Sequence, residues 1–163
     1  MFNLSYEQLN SPSLSEGLRV LGAQKLPTKA AWNLTRMIKQ IDKEMAEGRD
    51  AYLDVLKKNV ELTEEGEIKP ALTVEKLDAE GKVVQAAGEP IPNSYIELED
   101  DSVKKAVKEF MEIQVAIESH KIDLDDLASI AIEAEVLGSL EAVILTREEK
   151  LGEMKGSNVQ AIR

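Results

Sequence analysis

The chain contains no cysteine. Disulfides, thiolate metal ligands and a cysteine nucleophile are therefore excluded, and a reducing compartment suits it. Histidine is almost as scarce, with His120 standing alone. Only carboxylate sites for hard cations are left to such a sequence, and no cofactor is expected. Aromatic residues are few, at 2 Phe, 3 Tyr and 1 Trp. A platform for stacking nucleic-acid bases is not expected from so small a set. No apolar run approaches the roughly 20 residues of a membrane span. The opening MFNLSYEQLN has no basic segment followed by an apolar one, so no secretory signal is expected. Phosphate-binding loops of the G-x-x-x-x-G-K-[ST] or G-x-G-x-x-G type are missing, and so is a G-x-S-x-G nucleophile elbow. Positive charge is in short supply. Against 31 acidic side chains stand 20 basic ones, a formal net charge of -11. Direct contact with nucleic acid and binding to an anionic membrane are both disfavoured by that balance.

What is present describes a globular chain of 163 residues, 43% hydrophobic and 31% charged. The length and apolar content suit one domain with a real core. The expected organisation is a single α+β domain over 1–150 and a C-terminal tail over 151–163, flexible or bound to a partner. The expected architecture is one long amphipathic helix, a small antiparallel sheet and shorter helices.

The first element is a strand over Phe2–Tyr6, stopped by Ser11-Pro12-Ser13. A short helix follows, with Ser13 as N-cap, Glu16 completing a capping box, and Leu14, Leu18 and Leu21 on one face. Gly17 lies inside that helix and weakens it. Pro27 then suits the first turn of a helix over about 28 to 59. Its apolar positions are Leu34, Ile38, Ile41, Met45, Gly48, Tyr52 and Val55. The steps alternate four and three, which is the 3.5-residue seam of helix-on-helix packing. Trp32, Met37, Leu53 and Leu56 widen the stripe, while Lys39 and Lys43 fall on the solvated side. Gly48 marks a close crossing or a kink.

The middle of the chain is rich in turn signals. ALTVEKL and KVVQAA, joined by Asp78 to Gly81, read as a β-hairpin. SYIELE, residues 94–99, is a third strand candidate. A helix capped by Asp100 or Asp101 carries Val103, Val107, Phe110 and Met111, and either gives way to a strand near residue 113, the preferred reading, or continues through residue 119. Residues 133–150 read as helical.

Residues that could carry chemistry are weak candidates. His120 adjoins Glu118 and Ser119, but neighbours on a strand point to opposite faces. Asp123 to Asp126 is acidic yet lacks the glycine and distant glutamate of a calcium loop. Asp125 or Asp126 is better read as the cap of a helical turn. Carboxylate pairs recur at Glu64-Glu65, Glu99 to Asp101, Glu133 and Glu135, and Glu148-Glu149. Their abundance makes no pair distinctive. No catalytic, cofactor-binding or metal-binding residue is assigned. The interaction candidates are the helix seam residues Leu34, Ile38, Ile41, Met45, Tyr52 and Val55.

The segment Leu26-Pro27-x-Lys29-Ala30-Ala31-Trp32-x-Leu34-x-Arg36-x-Ile38-x-x-Ile41-x-x-Glu44 resembles the start of a family of small tailed-bacteriophage proteins of unassigned function. The resemblance covers residues 14 to 60, and residues 61 to 145 in general layout only. The tail over 151–163 departs from it. The family has no known catalytic residues to carry over. The resemblance implies a phage product located in the bacterial host cytoplasm or incorporated in the virion. The expected function is non-enzymatic: a virion component or assembly factor acting through protein–protein interaction. Its partners would be itself, other phage proteins or a host protein. The competing expectation is an acidic phage inhibitor of a host defence or nucleic-acid enzyme, with surface charge imitating DNA.

Overall fold

The computed structural model describes residues 1–152 apart from Glu75, Ala86 and Ser129. The fold is α+β, with one long helix and small antiparallel sheets. The chain divides into two compact units. One takes residues 1–47 together with the chain from Glu112 onward, the other Gly48–Met111.

The first unit is built around strand β1, Phe2–Ser5, paired antiparallel with β4, Gln114–Ile117. Phe2 lies opposite Ile117 and Leu4 opposite Val115. The expected strand therefore ends at Ser5, one residue early. Ser5 stops it by capping the four-residue helix α1, Tyr6–Leu9. Its hydroxyl accepts the Gln8 amide at 3.2 Å, and the Gln8 side chain accepts the Ser5 amide at 2.9 Å. This is the capping box of the N-terminal region. It sits eight residues before the place the sequence pattern picks out, because helix α2, Pro12–Gly22, begins at Pro12 with Ser11 as N-cap. Proline is favoured at that first helical position. Glu16, free of any capping duty, pairs instead with Arg19 at 2.5 Å.

Helix α3 runs Thr28–Lys57 as a continuous 30-residue helix, and the unit boundary falls between Glu47 and Gly48. In the first unit α2 supplies Leu14, Leu18 and Leu21 to the core, and α3 supplies Leu34, Met37 and Ile41. Leu4, Leu9 and Ile117 join them, with Ile122, Leu127, Leu140, Val143 and Ile144 from the C-terminal part. That part is not one helix over 133–150. It breaks into α5, Ala134–Ser139, a 3-10 turn at Glu141–Val143, and a helical segment over 147–152. Between them Ile144 is extended and bridges Ile122 in parallel. Leu140, Val143 and Ile144 are all buried along this broken stretch, and the Ile122 backbone holds it extended by donating to the Val143 carbonyl at 2.8 Å and accepting the Leu145 amide at 2.9 Å. Residues 151 and 152, expected to open the tail, continue the last helical segment. The remaining tail residues, 153–163, lie outside the described residues.

Gly17 is explained by close packing. A Cβ there would run into the Ser139 hydroxyl and stand 3.1 Å from Leu140. The Ser139 hydroxyl is itself held by donating to the Val136 carbonyl at 2.7 Å. The glycine that weakens α2 locally thus lets the turn after α5 approach it.

The second unit begins with the last turns of α3 and ends with α4, Ser102–Met111. Val60, Val103 and Phe110 are buried in it, and the Tyr52 ring meets Phe110 edge to face at 5.8 Å. The expected hairpin is present as β2, Lys76–Leu77, and β3, Val83–Gln85. A one-residue slip separates the pairs Lys76–Gln85 and Leu77–Val83. The Asp78 carboxylate organises the tip by accepting the Glu80 and Lys82 amides at 3.1 and 2.7 Å, and Gly81 takes φ +79 there. The third strand over 94–99 does not form. Only Glu97 bridges, to Val60. The Ser94 hydroxyl turns the chain aside by donating to the Ile91 carbonyl at 2.6 Å. Nor do Asp100 and Asp101 cap α4 with their side chains as expected. The Glu97 carboxylate takes the Val103 amide at 3.4 Å, and Asp101 adopts φ 61.

Candidate functional site

The seam of α3 does not present itself as one surface. Leu34 and Ile41 are buried in the core of the first unit. Ile38 and Met45 are half-buried at its edge. Tyr52 and Val55, also half-buried, belong to the second unit. The phase of the helix differs slightly from the expected one. At about 100° per residue, Met37, Ile41 and Leu34 bracket the inward direction, and Ile38 falls on one flank. Met37 is fully enclosed, at 0% exposure. Lys39 and Lys43 are exposed as expected. Trp32 and Leu53 do not widen the buried stripe. Trp32 is 61% exposed, with the Arg36 guanidinium 4.9 Å from its ring centre.

Two amide side chains of α3 do structural work that the apolar pattern does not reveal. Gln40 donates to the Ala116 carbonyl at 3.2 Å and accepts the Glu118 amide at 2.8 Å. Asn33 donates to the His120 carbonyl at 2.8 Å. Both lie one helical face apart from the charged side, seven residues from each other. Their signal in the sequence is two uncharged amides bordering an apolar stripe in a helix otherwise rich in charge.

His120 sits at the rim of a cleft of about 330 Å³ lined by Lys29, Trp32, Asn33, Lys121, Asp123, Asp126 and Leu145. The cleft does not assemble a proton relay. Asp123 is occupied by Lys150, at 2.8 Å, and by the Asp125 amide, at 3.0 Å. Lys150 also pairs with Asp125. Those contacts, led by Lys150, hold the Asp123 carboxyl below its usual range. Asp123, not Asp125 or Asp126, is thus the cap of the 3-10 turn Leu124–Leu127. Lys121 pairs with Glu149 at 2.9 Å. Glu149 accepts the Thr146 amide at 2.9 Å while its own amide donates to the Thr146 hydroxyl at 3.2 Å. Lys121 first, then Thr146, draws the Glu149 carboxyl down to about 2. These ion pairs tie the segment over 147–152 to the turn over 121–127. The Ser119 hydroxyl is buried and has no hydrogen-bond partner among the described residues. Enclosed in that way it is not placed to attack an external substrate.

Two apolar features stand out among the described residues. In the first unit, a groove of about 400 Å³ runs between α2 and α3, lined by Leu9, Leu14, Leu18, Ile38, Ile41 and Met45, with Ser15, Arg19, Gly22 and Asp42 completing it. In the second unit, several apolar side chains stay in solvent. Leu72, Val74, Leu77 and Val83 on and beside the hairpin are all more than half exposed, Val74 at 75%. Among the described residues no group of three histidines or carboxylates converges to hold a metal ion, and no helix is long and apolar enough to cross a membrane.

No protein-family model, no curated protein and no solved structure matches this chain.

Proposed function

We propose that the protein is a non-enzymatic component of a tailed bacteriophage, a virion constituent or assembly factor, that works by binding protein chains, copies of itself among them. The carrying observation is the hairpin arm of the second unit. Leu77 and Val83 face each other across β2 and β3 and both stay exposed. The two-stranded sheet has no further strand on either edge among the described residues. Exposed apolar side chains beside open strand edges are a template for another chain.

A second copy suits the arm. An interface with two-fold symmetry needs a self-complementary patch. The arm offers one, with Lys76 and Lys82 interspersed with Asp78 and Glu80 around the apolar pair. The resemblance of residues 14 to 60 to small tailed-phage proteins supports the biological setting, in the bacterial host cytoplasm or the virion.

The test is affinity capture of the tagged full chain from bacteria infected with a tailed phage that carries this gene. Leu77→Asp/Val83→Asp serves as the paired control. Phage proteins that co-purify with the natural chain and are lost with the variant are the expected result. Identical sets of captured proteins with both chains would count against the reading.

A further inference from the structure

The groove between α2 and α3 has the form of a helix-binding site. Its walls are two rows at helical spacing. Leu14, Leu18 and Gly22 lie on α2, four residues apart, and Ile38, Asp42 and Met45 lie on α3. At about 1.5 Å per residue the walls extend about 10–12 Å, two turns of a helix. The floor is apolar and closed, formed by the buried Leu9 and Ile41, and the half-buried Ile38 and Met45 are the apolar side chains most open to an incoming chain. Amphipathic helices dock in grooves of this kind through apolar residues spaced one turn apart.

The charges at the rim determine the kind of helix. Arg19 is already neutralised by Glu16, through contacts of 2.8 and 2.5 Å on the same helix. Asp42 is exposed and, among the described residues, makes no ion pair. It is therefore the uncompensated charge of the groove wall. A cation seated against it is favoured, and an anion is repelled. The net charge of -11 acts in the same direction at longer range by steering cationic partners.

We propose that this groove binds an amphipathic helix of a partner protein, one whose apolar stripe is bordered by a lysine or arginine that meets Asp42. The site rests on the reading of the protein as a binder of other chains. It does not depend on the hairpin arm, which belongs to the other unit. Leu77→Asp/Val83→Asp removes that arm and leaves the groove intact, so either site can fail alone.

The test uses two designed peptides of about four helical turns, each with leucines one turn apart. One carries lysines beside the leucine stripe, the other glutamates at the same positions. Binding to the full-length protein is followed by fluorescence anisotropy. The lysine peptide binds, and the glutamate peptide binds at least about tenfold more weakly. Asp42→Lys reverses that preference. Gly22→Leu offers an independent check without altering charge. A Cβ at Gly22 meets no atom within 4 Å, so the larger side chain obstructs the groove without crowding the core. Gly22→Leu is expected to melt like the natural protein and to lose the peptide.

Equal binding of the two peptides, or undiminished binding to Gly22→Leu, would overturn the proposal. So would a dimer of the natural protein that Gly22→Leu dissociates in the absence of peptide, because the groove would then belong to a second copy.

Discussion

At the scale of single residues, enclosure sorts the apolar positions of α3 more sharply than their spacing does. Met37 is fully enclosed, whereas Ile38 lies at the rim. Met37→Ala is therefore expected to cost about 2–5 kcal/mol, and Ile38→Ala clearly less. Urea unfolding of the two variants checks this, and a larger loss at Ile38 would show that α3 is rotated from the described phase. Gly17 is the second residue with a sharp expectation. An added methyl improves helix propensity by up to about 1 kcal/mol. It also displaces the Ser139 hydroxyl from its 2.7 Å bond and presses on Leu140. Overpacking costs about 1–3 kcal/mol, so Gly17→Ala should destabilise on balance. Adding Ser139→Ala should recover part of the loss. A Gly17→Ala protein more stable than the natural one would refute the close approach.

At the scale of elements, the ion-paired segment over 147–152 carries the clearest pH dependence. The Glu149 carboxyl is lowered in the folded protein to about 2 by Lys121 and Thr146. A lowered carboxyl contributes stability that is complete above its unfolded value, near 4.5, and that disappears as pH falls through the folded value. The side chain is 43% exposed, so solvent screening keeps the contribution small. The stability difference between the natural protein and Glu149→Gln should shrink steadily from pH 5 toward about pH 2. A difference that stays constant over that range would mean the pairing with Lys121 is not formed.

The same scale shows what was legible beforehand. The opening strand, helices α2 and α3, the hairpin and the change from helix to strand near residue 113 carry local signals: proline, turn residues and a switch of period from 3.6 to 2; the four-residue α1 and the caps that form were not read. The break of 133–150 carries none, since LEAVIL is apolar enough for either state. Backbone pairing with Ile122, distant in the sequence, decides it. Burial within the seam was only half legible for a similar reason. A seven-residue period identifies a stripe, but the neighbours determine which edge of it is covered. The groove was not legible at all. Its two walls come from segments separated by the turn at Leu26-Pro27, and each wall alone reads as an ordinary amphipathic face.

At the scale of the molecule, the contrast between the units carries the account. The first unit builds a continuous core of buried leucines and isoleucines. The second leaves Leu72, Val74, Leu77 and Val83 in solvent. Burying an apolar side chain of that size contributes about 1.5–3 kcal/mol. A pair of arms meeting about a two-fold axis would bury several of these at once. That gain opposes the cost of association, which is at least about 4 kcal/mol, and suits self-association in the micromolar range. Because the attraction is apolar, it should persist as salt is raised, whereas the charge steering at Asp42 should fade. The most direct measurement is multi-angle light scattering of the full chain from about 1 to 100 μM, a span of about 2.7 kcal/mol in association free energy, with Leu77→Asp/Val83→Asp run in parallel. The expected result is a mass that rises above the 18.0 kDa of one chain with concentration, while the variant stays at that mass. A natural protein that remains at 18.0 kDa throughout would contradict self-association through the arm.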